Sequence, residues 1–174
     1  VANETRPLQL SSDPSWQDFI RRGAAFLDRL LESEGTVYGV TTGYGDSCSV
    51  SIGAQHVREL PLHLTRYHGC GLGRHLDRAA TRAVLVCRLN SLAQGYSAVR
   101  LELLEALAGL LHQDILPLIP EEGSVGASGD LTPLSYVAAT LVGERDVHEG
   151  SAMRHTRKVN DQQGASRLER GEHW

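Results

Sequence analysis

The tightest constraint on this chain is a break in helical periodicity. "ILPLIPEEGSVGASGDL", residues 115–131, separates two apolar stretches, and its Pro117 and Pro120 forbid a continuous helix. Upstream, Leu103, Leu107, Leu110 and Leu111 recur at the i, i+4, i+7, i+8 spacing of an amphipathic helix, which Ser97 can cap. Downstream, Thr132 and Pro133 reopen a helix that runs through Val142. A glycine-rich loop therefore sits between two helices.

Other stretches read the same way. Asp13 and Pro14 supply an N-cap and a first-turn proline. Trp16, Phe19, Ile20, Leu27, Leu30 and Leu31 then share one helical face, which Gly35 ends. A second helical region covers residues 55–66 around Pro61, and Asp77 caps a third through "RAATRAVLVCRLNSLAQ". No run alternates as a half-buried strand does, and no segment repeats. The expected class is mainly α, with glycine-rich loops. From Arg145 onward the chain turns polar and loses apolar periodicity, so residues 145–174 are expected to form a flexible tail beyond an ordered region of residues 1–144.

Composition removes several function classes. A length of 174 residues fits one domain, and a net charge of -4 without a basic stripe argues against nucleic acid. Cys48, Cys70 and Cys87 are an odd set without framework spacing, which points to a reducing compartment. "VANETRPLQL" lacks the apolar core of a signal peptide. No segment approaches the ~18 apolar residues of a membrane helix. A cytoplasmic protein without a membrane partner is expected.

Three glycine-rich loops carry the candidate chemistry. "YGVTTGYG" is not a dinucleotide fingerprint, because G-x-G-x-x-G is absent. Its Tyr38 and Tyr44 sit among small residues, where a tyrosine either reaches a substrate or packs as a turn residue. "RYHGCGLGRH" crowds His68, Cys70 and His75 close to His63, yet matches no zinc spacing, so no metal is expected. In "EEGSVGASGD", Gly126, Ala127, Ser128, Gly129 and Asp130 fail the G-x-S-x-G nucleophile pattern. A different reaction fits them. Gly129 has no side chain, so its nitrogen can attack the Ala127 carbonyl and close a five-membered ring. Loss of water, then dehydration of Ser128, leaves an electrophilic methylidene group made from main chain.

The run "GSVGASGDLTPLSYVAATLVG" resembles the signature of the aromatic amino acid ammonia-lyase family, and "YGVTTGYG", "YHGCGLG" and "RLNSLAQGYSAVRLELLEAL" support it in family order. The resemblance covers about Gly35 to Gly143. It implies the N-terminal part of the helical ammonia-lyase fold. It also implies that Ala127, Ser128 and Gly129 become 4-methylidene-imidazole-5-one (MIO), with no metal or diffusible cofactor. By the same resemblance Tyr38 is the catalytic base, Gly45 and Leu131 lie near the substrate, and Tyr67 and His68 set ring selectivity. His68 favours histidine as the aromatic amino acid; Tyr67 departs from the family's usual pairs.

The family members are several times longer, with sites shared between subunits of a tetramer, so a homo-oligomer is implied. The polar stretch is expected to be a truncation or a reading-frame change after about His148, leaving Leu103, Leu107 and Leu111 poorly covered. Three functions follow: an ammonia-lyase, an inactive helical fragment that binds full-length relatives, or an MIO-dependent aminomutase.

Overall fold

The computed structural model describes residues 8–49, 52, 56, 59–124, 126, 128–150 and 152–155. Among them are five α-helices: α1 (Pro14–Glu34), α2 (Leu60–His68), α3 (Arg78–Leu92), α4 (Leu101–His112) and α5 (Leu131–Leu141). The helix-rich class read from the sequence holds. Five short strands accompany them: β1 (Leu72–His75), β2 (Ile115–Pro117), β3 (Pro120–Glu122), β4 (Asp146–Glu149) and β5 (Ala152–His155).

Local chemistry starts the helices. Asp13 Oδ1 accepts from the Ser15 N–H at 2.9 Å, and Gly35 ends α1 with φ at 69°. Asp77 Oδ1 accepts from the Ala80 N–H at 2.7 Å and opens α3. Pro61 lies in the first turn of α2, which runs from Leu60; residue 55, where the sequence placed the start of this helical region, lies outside the described residues. Helix α4 starts at Leu101 behind Arg100, not at a Ser97 cap, because Ala98 takes φ of 52°, outside the helical region.

The core gathers Ile20 from α1, Leu85, Leu89 and Leu92 from α3, Leu101, Leu104, Leu107 and Leu111 from α4, and Tyr136 and Val137 from α5. The buried stripe of α4 therefore passes through Leu104 instead of Leu103, and Leu107 and Leu111 are fully covered, contrary to the expectation of an exposed face. Each such leucine contributes about 2 kcal/mol by leaving water. Along α1 only Ile20 of the expected apolar face is buried; Phe19 stays exposed, and Trp16 is fixed by its Nε1–H donating to the Ala93 carbonyl at 3.0 Å.

Two small antiparallel sheets tie the helices together. Strand β1 pairs with β3, matching Leu72 to Glu122 and His75 to Pro120. Strand β4 lies between β2 and β5, with Pro117 opposite Val147 and His148 opposite Met153. The expectation of a flexible tail from Arg145 is thereby corrected for residues 146–149 and 152–155. Val147 is wholly buried against Ile115, with Leu110 packed beside them. One inward apolar residue is enough when β2 supplies the rest of the apolar surface. Residues 156–174 lie outside the described residues.

Candidate active site

Pairing of β1 with β3 determines which loops meet. β1 leaves the "YHGCG" turn and β3 enters the "GSVGASG" loop, so the two glycine runs lie side by side. Gly71 fits here because a Cβ would come within 2.8 Å of Pro120. The second loop folds back on the start of α5, where a Cβ at Gly123 would meet Thr132 at 2.8 Å.

Between them opens a cavity of about 470 Å³ lined by Tyr67, His68, Cys70, Ser124, Gly126, Ser128, Gly129, Leu131 and Thr132. Five residues singled out from the sequence thus share one cavity: Tyr67, His68, Ser128, Gly129 and Leu131. Ala127 lies outside the described residues. Gly129 takes φ of 71°, a left-handed conformation that glycine adopts without strain. The Ser128 hydroxyl donates to an Asp130 carboxylate oxygen. Helix α5 begins directly afterwards at Leu131, so its free N–H groups and positive dipole end face the loop.

The "YGVTTGYG" loop is held by its threonines. Thr41 and Thr42 are buried; Thr41 Oγ1 accepts from the Val37 N–H at 2.8 Å, and Thr42 Oγ1 accepts from the Gly39 N–H at 3.1 Å. Gly39, at φ of 71°, leaves room for Tyr44, whose Cε1 would stand 2.7 Å from a Cβ there. Tyr38 accepts from the Gly45 N–H at 3.0 Å, which joins two of the predicted residues. Neither lines the cavity. They approach it through a row of rings: Tyr38 to Tyr44 at 6.2 Å, Tyr44 to His68 at 5.5 Å, and His68 to Tyr67 at 5.1 Å.

Tyr44 is half-buried, and burial pushes its phenol above the ordinary value; Tyr38 and Asp130 act in the same direction while Arg88 opposes them. Asp130, Thr132, Ser124 and Cys70 were not singled out as site residues. Asp130 alone carried a local signal, a carboxylate directly after the triad. Among the described residues no cluster of three His, Cys, Asp or Glu side chains forms a metal cage, and no helix is long and apolar enough to cross a membrane.

Comparison with known proteins gives one consistent family. The chain matches the sequence model described as aromatic amino acid lyase over residues 1–172. It is 42% identical over 132 residues to a histidine ammonia-lyase of Staphylococcus aureus (strain bovine RF122 / ET3-1), covering 75% of this chain and 26% of that protein. It is 41% identical over 135 residues to the histidine ammonia-lyase of Bacillus velezensis, covering 77% and 26%. Among solved structures, the tyrosine aminomutase of Streptomyces globisporus superposes with a TM-score of 0.83 at 35% identity, covering 94% of this chain and 30% of that one. The chain spans about a quarter of the length of the curated relatives it matches.

Proposed function

The chain belongs to the aromatic amino acid lyase family, and on that premise we propose that it carries the MIO-forming part of an ammonia-lyase whose favoured substrate is histidine. The reading is supported above all by the cavity that collects Ser128, Gly129 and Leu131 with Tyr67 and His68.

The residues present fit the group. Cyclisation needs the Gly129 nitrogen close to the Ala127 carbonyl, and glycine at φ of 71° permits a turn that a side chain would strain. Asp130 accepts the Ser128 hydroxyl hydrogen and so orients the oxygen that must leave as water. Once formed, MIO supplies an electron sink for loss of ammonia. Each site residue of this chain has a role beside it. Tyr38, exposed on its loop with its oxygen held by the Gly45 N–H, moves from outside the cavity toward the substrate and takes the β-proton; the electrons of that C–H bond form the new double bond as the Cα–N bond breaks. His68 and Tyr67 face the substrate ring, Leu131 gives it an apolar wall, and the N-terminal end of α5 favours the negative charge that develops.

Histidine is favoured by His68 and by the histidine ammonia-lyase relatives. An aminomutase is the second reading, favoured by the TM-score of 0.83 to a tyrosine aminomutase; the product, unsaturated acid or β-amino acid, separates them. Assembly into a homo-oligomer belongs to the same proposal and is read by size-exclusion chromatography.

The test is mass spectrometry of the purified protein. MIO formation removes two water molecules and adds near-ultraviolet absorbance, and Ser128→Ala abolishes both. A wild-type protein with unreacted mass refutes the proposal. Incubation with histidine, tyrosine and phenylalanine, following ammonia and unsaturated acid, then identifies the substrate.

A further inference from the structure

Two residues outside the cavity grip the turn that follows His68. Tyr136, on the buried side of α5, brackets it: its hydroxyl donates to the Gly69 carbonyl and accepts from the Gly71 N–H, both at 3.2 Å. Arg145 donates from Nη2 to the same Gly69 oxygen at 2.7 Å, and its guanidinium carbon lies 4.6 Å from the Tyr136 ring centroid. A Cβ at Gly69 would stand 2.7 Å from Arg145 Nη2 and 3.1 Å from the Thr65 carbonyl oxygen, so a larger residue would push the guanidinium away from the Gly69 oxygen. Next to Arg145, Glu144 accepts from Arg66 Nε at 2.9 Å, fastening the last turn of α2 as well.

We propose that Tyr136 and Arg145 are positioning residues for ring selectivity: by fixing the turn at residues 69–71 they set where Tyr67 and His68 meet the cavity. This rests on the ammonia-lyase reading above. The Gly69 carbonyl belongs to the peptide chain one residue beyond His68, so its displacement carries His68 with it. It is held by two donors, one of them charged and hence the stronger kind. Arg145 over the Tyr136 ring adds a cation–π contact that keeps both in place. A displacement of ~1 Å at a positioning group costs on the order of a hundredfold in rate. Shape discrimination between two rings is worth roughly ten- to two-hundredfold. The clamp therefore acts on the scale at which selectivity is decided.

The alternative is a clamp that only stabilises the packing of α2 on α5. Tyr136→Phe keeps the ring and its cation–π contact and removes both hydrogen bonds. Arg145→Met removes the charge, and Arg145→Lys restores a donor. The readouts on the purified protein are amide exchange in the peptide spanning residues 66–73, and kcat and KM for histidine, tyrosine and phenylalanine. Tyr136→Phe is expected to speed exchange roughly tenfold at the Gly71 amide, which loses its hydroxyl acceptor. It is also expected to change the histidine-to-tyrosine ratio of kcat/KM by roughly tenfold or more, mainly through KM. Arg145→Met should behave alike and Arg145→Lys should recover most of the ratio.

Faster exchange with an unchanged ratio overturns the selectivity role and leaves a structural clamp. Unchanged exchange overturns the clamp itself. If Arg145→Met does not fold, Tyr136→Phe and Arg145→Lys decide. A wild-type protein inactive on all three amino acids sinks the ammonia-lyase reading, and the selectivity role with it; an active wild type with unaltered variants sinks the clamp alone.

Discussion

Tyr44 stands where the two aromatic pairs join, its ring against Tyr38 on one side and His68 on the other. Burial favours its neutral phenol, so its folded pKa lies above the ordinary 10.0. A raised folded pKa stabilises the fold fully below the unfolded value, and that contribution is lost as pH climbs through the folded value. The protein is therefore expected to lose stability above about pH 10, and Tyr44→Phe to lose less of it. Urea midpoints of both proteins at about pH 8 and about pH 11 check this; equal alkaline losses would remove Tyr44 as the cause. This residue also marks where sequence reading runs out. Ser128, Gly129, Tyr67, His68 and Leu131 were legible because their chemistry lies in contiguous motifs. The contact of Tyr44 with His68 was not, because it joins a loop to the end of α2, and these meet only once the chain has folded. The grip of Tyr136 on the turn after His68 was hidden for the same reason.

At the scale of elements, what is local in the chain was local in its signal. Asp77 as an N-cap needs only the next three residues, and the bond to the Ala80 N–H at 2.7 Å answers to it. Asp77→Ala should cost about 1 kcal/mol by leaving that donor without its side-chain acceptor. A fall in the urea midpoint with an unchanged slope is the expected observation. An unchanged midpoint would mean that water or a neighbouring group satisfies the Ala80 N–H equally well. The Ser97 cap failed because Ala98 at φ of 52° postpones the helix to Leu101, a backbone choice that propensity does not encode. The strands escaped notice for a different reason. At three or four residues each, they are too short to display alternation. Their existence is decided by partners far along the chain, such as Ile115 opposite Glu149.

For the whole molecule the consequential element is the β4–β5 hairpin, which a reading from polarity alone set aside as tail. It follows Arg145 immediately, so the same stretch of backbone serves the three-stranded sheet and the clamp on Gly69. Around it Arg78 donates to the Gly150 carbonyl and to Asp114, and Arg82 donates to Asp114 at 3.0 Å, linking α3, the α4–β2 turn and the hairpin. Val147 is the apolar anchor of this arrangement, with none of its surface exposed. Val147→Ala removes two methyl groups and leaves a cavity beside Ile115, at a cost of about 2 kcal/mol. If the hairpin folds with the core, denaturation monitored at Trp16 falls to a lower urea midpoint in one transition, and exchange in residues 66–73 quickens because Arg145 loses its fixed neighbour. If the hairpin opens separately, the Trp16 transition stays where it is while exchange around residues 146–149 alone rises. The first outcome makes the segment from Arg145 part of the framework that presents His68 to the cavity. The second separates the sheet from the site and leaves Tyr136 to hold the turn without it.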